Sequence, residues 1–296
     1  MRINTNVASL VAQESNANTN VRIGSALEKL STGLRINKAS DDASGLAIAD
    51  KLRTHATALN QSISNGNSAV SLTQIADKAM AEQSNILDVI KQKLLQAGTA
   101  TTSAEGVESI GKDVKKLLDQ IDNIAVQTSY NGTTLLQKSA GTTSAERFAG
   151  TDKLKFQMGA TATDLIELSS GITSNTHGLD GMSALKASAT AWNAATDSAI
   201  SLQSAARTHL ASVDSALNTL NSWRSDVGST QNQLESGIRN LMTQATNTKA
   251  AESVIRDVDY AQESANFNRQ NIIAQAGTYA LSQANSASQN VMRLLQ

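Results

Sequence analysis

Residues 210–245 read LASVDSALNTLNSWRSDVGSTQNQLESGIRNLMTQA, and this stretch decides the fold. Leu210, Val213, Leu217, Leu220, Val227, Leu234, Ile238, Leu241 and Ala245 recur at steps of three, four and seven, with Arg224 and Gln231 in two of the remaining seam places. Such spacing keeps one side of a helix apolar. A sustained heptad repeat marks a helix that lies along another helix. The pattern predicts helix from about 182 to 247, with a further helical stretch over 250–296.

The same period returns on the N-terminal side. Leu52, Ala56, Leu59, Ile63 and Val70 fall in heptad register with Gly66 between them, and Leu72, Ile75, Ala79, Ile86, Ile90 and Leu94 resume it one place out of phase. Gly98 to Gly106 reads as a polar turn. Val107, Ile110, Val114, Leu117, Ile121 and Ile124 then give another heptad helix. Tyr130-Asn131-Gly132 is a turn signal. Beyond it the helical period stops, and Leu154 to Met158 and Leu165 to Leu168 alternate as the two strands of a small hairpin. Helices, a short β insertion and helices again imply a mainly α fold. Its two halves lie side by side as a long antiparallel helical rod or coiled coil, with the β-hairpin region at the tip. A helix of about forty residues is about 60 Å long.

Chain ends are ordinarily frayed and polar, yet both ends here carry thin apolar stripes. Ile3, Val7, Leu10, Ala17, Val21, Leu27, Leu30 and Leu34 form one; Ile273, Ala276, Ala280, Ala287 and Leu294 form the other, with Gln283 and Asn290 in its intervening places. Stripes so thin cannot hold a lone helix in water. They imply helical partners, and their polar places imply a fixed register. The stretch 31–45 between the first two helices is a break. Gly33 and Asn37 can end one helix, and Ser40, Asp41 and Asp42 can cap the next.

Composition agrees. The 296 residues carry a formal charge of −1 and hold no proline and no cysteine; aromatic residues are 3%. Absent proline favours long unbroken helices. Absent cysteine excludes disulfides and thiol catalysis. No basic patch points to nucleic acid, and no apolar run approaches the ~20 residues of a membrane span. No cleaved signal peptide is legible, which by itself argues for a cytosolic protein.

Chemistry-bearing patterns are missing. His55, His177 and His209 are isolated, so no metal or cofactor is expected. Gly111-Lys112-Asp113 lacks the upstream glycine of a phosphate loop. Asp41-Asp42 precedes a helix, where capping is the ordinary role. Asn131-Gly132-Thr133 fits the N-glycosylation pattern, but Asn-Gly is also a common turn. Hydroxyls in 139–176 are candidate O-glycan sites: Thr142, Thr143, Ser144, Ser169, Ser170, Thr173 and Ser174.

The segment Leu30-Ser31-Thr32-Gly33-Leu34-Arg35-Ile36-Asn37-Lys38-Ala39-Ser40-Asp41-Asp42-Ala43-Ser44-Gly45-Leu46-Ala47-Ile48-Ala49-Asp50 closely resembles the N-terminal signature of bacterial flagellins. The opening Met1 to Asn6, the stretches Gln127 to Gly132 and Ala250 to Asp259, and the ending Asn290 to Gln296 fit the same family. The resemblance implies a filament subunit that polymerises with itself for motility. Its terminal core domain is 1–42 with 253–296, including a linker near 31–45. Its inner helical domain is 43–137 with 182–252, and its short variable outer region is 138–181. The resemblance also implies type III export without a cleaved signal, which replaces the cytosolic reading with an extracellular one. Export chaperone, cap and hook–filament junction proteins are the implied further partners. Leu10, Val21, Leu27, Ile273, Ala280, Gln283, Asn290 and Leu294 are the expected assembly contacts, joined by Arg35, Asp41, Asp42 and Arg53 where the terminal and inner domains meet.

Two departures from the family pattern matter. Gln283-Ala284-Asn285-Ser286-Ala287-Ser288-Gln289 lacks the proline usual there, so a continuous helix is expected. Flagellins sensed by the mammalian Toll-like receptor carry an arginine where Val89 stands, within Leu87 to Lys93, and a glutamate where Asp113 stands. The change resembles flagellins of the Campylobacter and Helicobacter group and implies weak or no receptor activation. A hook–filament junction protein shares the terminal motifs but fits their full length less well. A chemoreceptor-like signalling rod would need a membrane span or strongly charged seam flanks. No residue constellation supports an enzyme.

Overall fold

A computed structural model describes residues 6–136, 154–168, 172–192 and 199–294. Its helices are α1 (Val7–Thr32), α2 (Ala43–Ala97), α3 (Ala104–Gln127), α4 (Met182–Ala191), α5 (Ala199–Arg256) and α6 (Tyr260–Leu294). The strands are β1 (Ser129–Tyr130), β2 (Thr133–Thr134), β3 (Leu154–Gln157) and β4 (Leu165–Leu168). Helix α6 runs unbroken through the stretch that lacks proline. Two compact units divide the chain: Met1–Thr57 with Ala245–Gln296, and Ala58–Gln244. The division falls inside α2 and α5.

In the 58–244 unit, α2 and α5 are antiparallel. Lys91 pairs with Asp214 at 2.5 Å and Asp77 with Arg224 at 3.1 Å, while Arg207 Nε donates to the Gly98 carbonyl at 2.7 Å. Arg224, read as a seam place, is thus a half-buried cation paired across the helices. Helix α3 folds back along α2 from a turn closed by Ser103, whose Oγ accepts the Gly106 N–H at 3.2 Å.

The buried line on α2 is Ser62, Gly66, Ala69, Thr73, Ala76, Met80, Gln83, Leu87, Ile90, Leu94 and Ala97, an unbroken alternation of four and three. The phase change read near 70–72 is therefore absent. Leu72, Ala79 and Ile86 flank this line half-buried, and Ile75 is 41% exposed. On α5, Val213, Leu220, Val227, Leu234 and Leu241 are buried as read, but Ala216 and Thr230 are buried in place of Leu217 and Gln231. On α3, Leu118 and Ala125 are buried in place of Leu117 and Ile124. Close helix approach selects small residues for the line of contact, and larger side chains fill the flanks where a third helix meets the pair.

Gln83 is fully buried. Its Nε2 donates to the Ile121 carbonyl at 3.1 Å, and its Oε1 has no partner. A lone orphaned acceptor costs about 1–3 kcal/mol, against about 1 kcal/mol from the bond made. Gln83→Leu should leave stability unchanged or raise it by about 1 kcal/mol, as read by urea unfolding of the purified chain.

Each hairpin follows its turn chemistry. Asn131 (φ 50°) and Gly132 (φ 77°) form the two-residue turn joining β1 to β2, with both residues in the left-handed region that such turns demand. Strands β3 and β4 pair antiparallel, Leu154 opposite Leu168 and Phe156 opposite Ile166, as their alternation predicts. This hairpin lies beside the α2–α5 pair and not beyond the α2–α3 turn. A β-carbon on Gly66 would meet Met158 Cε at 3.0 Å, and one on Gly237 would meet it at 3.2 Å. Helix α3 carries the chain back toward that part of α2, so the strands form there.

Candidate assembly surface

Helices α1 and α6 pack together. Asn6 caps α1, its Oδ1 accepting the Ser9 N–H at 3.2 Å, and its Nδ2 donates to the Ala284 carbonyl of α6 at 3.1 Å. The seam between them is not the apolar stripe of either end. On α1 it runs Ala12, Asn16, Thr19, Ile23, Ala26 and Leu30; on α6 it runs Phe267, Gln270, Ala274, Gly277, Leu281 and Ala284. The C-terminal stripe expected from the sequence sits one residue away from this line at every place.

That offset leaves the apolar residues outside. Val7, Leu10, Val11 and Val21 are 55–73% exposed and lie on the side of α1 opposite its seam; Leu27, 55% exposed, lies toward the flank. On α6, Ile272, Ala276, Tyr279 and Gln283 are exposed opposite the seam, with Ile273 and Ala280 exposed beside it. Gln283 therefore does not set register against α1. Asn290 and Leu294 belong to α6, but their side chains lie outside the described residues. Val7, Leu10 and Val11 cluster in the first turns of α1 and Val21 stands apart from them; exposed apolar side chains of this kind are candidate interaction points.

The two helix joints meet each other. Arg35 N–H donates to the Arg256 carbonyl at 2.6 Å and Val258 N–H to the Gly33 carbonyl at 3.0 Å, so Leu34 and Asp257 form an antiparallel bridge. Arg35 Nη2 adds a bond to the Ile255 carbonyl at 2.6 Å. Gly33 has φ +73°, and a β-carbon there would lie 2.7 Å from Tyr260 Oη. The adjacent acids divide their work. Asp42 Oδ1 accepts the Gly45 N–H at 2.9 Å and caps α2, whereas Asp41 Oδ2 accepts the Asn37 and Lys38 N–H groups and closes the loop. Those backbone bonds hold the Asp41 carboxyl below its ordinary value. Asp50 Oδ1 receives Arg53 at 3.1 Å and Arg256 at 3.7 Å. The sequence flagged Arg35, Asp41, Asp42 and Arg53. Asp50 and Arg256 lie inside the quoted signatures without a role, and Tyr260 lies just beyond them; the roles of all three depend on the chain's other end.

The receptor-related residues lie on α2 and α3. Leu87 is fully buried, Val89 is 41% exposed, and Lys93 pairs with Asp113 at 3.1 Å. Among the candidate glycan sites, Thr142, Thr143, Ser144, Ser169 and Ser170 lie outside the described residues. Thr173 and Ser174 are 6% and 0% exposed, packed where a sugar has no room. Among the described residues no cluster of three or more His, Asp or Glu can hold a metal, and no helix is long and apolar enough to cross a membrane.

Paired terminal helices that leave apolar side chains on their outer faces suit a subunit that joins others of its kind. Residues 3–141 match the bacterial flagellin N-terminal helical region, and residues 210–295 match the bacterial flagellin C-terminal helical region. The chain is 37% identical to a flagellin of Bacillus subtilis and 33% identical to the flagellar filament 33 kDa core protein of Treponema phagedenis, each over 100% of both chains. It is 43% identical to flagellin B of Helicobacter pylori over 59% of this chain and 32% of that one. The chain belongs to the bacterial flagellin family and is a structural subunit of the flagellar filament.

Proposed function

We propose that the outward stripes of α1 and α6 are the surfaces through which copies of this chain join in the filament. The observation that carries this reading is the exposed line of Val7, Leu10, Val11 and Val21 on a helix whose other side is already paired. Subunits of a helical filament meet through heterologous contacts, which stay open and propagate. Burying one Val or Leu side chain is worth about 1.5–3 kcal/mol. Leu10→Ser with Val21→Ser should therefore weaken each contact by at least about 3 kcal/mol, raising the concentration needed for assembly by about a hundredfold or more. Sedimentation and electron microscopy after precipitant-induced polymerisation read this directly. Polymerisation at the wild-type concentration would refute it.

The family resemblance further supports extracellular placement by type III export, with a chaperone inside the cell and cap and junction proteins at the filament ends. Export competence is tested by finding the chain in the medium of a motile host and missing it when the export gate is disabled. The terminal core, inner and outer divisions drawn from the sequence belong to this same reading. Val89 supplies no guanidinium at the surface position the receptor-sensed flagellins use. Purified monomer should activate a Toll-like receptor reporter cell line far less than an enterobacterial flagellin, and equal activation would overturn that expectation.

A further inference from the structure

The pairing of α1 with α6 poses a register problem. An antiparallel helix pair can slip by one heptad, about 10.5 Å, and keep its stripes facing. Slippage is resisted when large side chains interlock. Here large side chains are few: Ile23, Leu30, Phe267 and Leu281 stand among Ala12, Asn16, Thr19, Ala26, Gln270, Ala274, Gly277 and Ala284, which present few knobs of distinct size. Asn16 faces Gly277, a partner with no side chain to recognise it: a β-carbon on Gly277 would lie 3.9 Å from Asn16 Cβ.

At one end of this pair sits a feature that cannot slip. The bridge of Leu34 with Asp257 is made of backbone hydrogen bonds between the two joints, and Arg35 fastens it to the Ile255 carbonyl. Gly33 holds φ +73°, and a β-carbon there would lie 2.7 Å from the Tyr260 hydroxyl, so a side chain at residue 33 strains the backbone and displaces Tyr260. A one-heptad shift would break every one of these contacts. We infer that the joint bridge, more than the helical seam, sets the register of α1 on α6. It thereby fixes which faces of the terminal pair are offered to neighbouring copies. The inference rests on the reading that this pair is the assembly surface.

Engineered disulfides test it, because the chain has no cysteine of its own. Asn16→Cys with Gly277→Cys reports the observed register, since disulfides need β-carbons about 3.5–4.5 Å apart. Ile23→Cys with Gly277→Cys reports a one-heptad slip and leaves Asn16 in place. Each pair is oxidised in the polymer and mapped by mass spectrometry, with the bridge intact or broken by Gly33→Val. An intact bridge should give only the 16–277 link. A broken bridge should give the 23–277 link in a substantial fraction of chains. Should Gly33→Val not polymerise, Arg35→Ala replaces it, and the links of any non-polymerising chain are mapped in solution. A 23–277 link with the bridge intact, or its absence with the bridge broken, overturns the inference. Failure of the unmodified chain to polymerise would instead overturn the assembly reading.

Discussion

Gly111→Val should destabilise the 58–244 unit by about 2 kcal/mol, although most residues form helix more readily than glycine. Gly111 lies inside α3, where leaving glycine gains up to about 1 kcal/mol of helix propensity. The site has no room to collect that gain. A β-carbon there would fall 2.5 Å from Trp192 Cε3 and 3.2 Å from the Ala189 carbonyl oxygen. Trp192 is 7% exposed and ends α4, so its ring and the last turn of that helix must move together. Overpacking of this kind costs about 1–3 kcal/mol, and valine adds two methyl groups beyond the β-carbon. The clash therefore wins. Thermal unfolding should fall by about 4–8 °C, with a shift in tryptophan emission. Gly228→Ala is the control. It sits inside α5 with nothing within 4 Å, so propensity acts alone and stability should rise by about 1 kcal/mol or less. A rise in both variants would show that Trp192 does not pack on α3 as described.

Asp122→Ala should cost about 2–4 kcal/mol by releasing residues 173–176 from α3. Asp122 accepts the Thr176 N–H at 2.8 Å, the Thr176 hydroxyl at 2.9 Å and the Lys186 ammonium at 2.6 Å. Thr176 is 1% exposed, so alanine at 122 strands two buried donors, at about 1–3 kcal/mol each before water enters. Lys186 keeps Asp119 at 2.8 Å, which limits the loss. Urea unfolding reads the magnitude, and amide exchange at Thr176 reads the release. No change in either would mean that the latch is solvated in the native state.

The same cluster gives a pH dependence whose sign follows from its charges. The hydrogen bond from Lys186 holds the Asp119 carboxyl below its ordinary 3.8. Burial opposes the charge on Lys186, but hydrogen bonds to Asp119 and Asp122 outweigh it and raise that ammonium above 10.5. A lowered acid contributes stability above 3.8 that is lost as pH falls through its folded value. A raised base contributes stability below 10.5 that is lost as pH rises through its folded value. The Asp119–Lys186 pair therefore contributes its stability between 3.8 and 10.5 and loses it outside that interval.

Much of this was legible in the chain. The heptads over 107–121 and 213–241 locate helices, because a period of 3.5 has only one structural meaning at that length. Asn131-Gly132 locates a tight turn, because few residues tolerate positive φ. The 31–50 signature locates a joint. What the pattern misassigned was which side of each helix is inside. The eye follows the largest apolar residues, such as Leu72, Ile75 and Ile273. The structure instead places Ala69, Thr73, Ala76 and Gly277 on the lines of contact, where backbones come closest.

Residue order alone establishes the elements and the family: long helices without proline, a small hairpin, and terminal stripes too thin to stand alone. Those follow from local propensity and period, which neighbours in the chain decide. Only the tertiary structure decided that the terminal stripes face outward and that Asp50, Arg256 and Tyr260 complete the joint. Those outcomes depend on which small residues let two distant helices approach. Close approach is a property of the pair, written in neither helix alone.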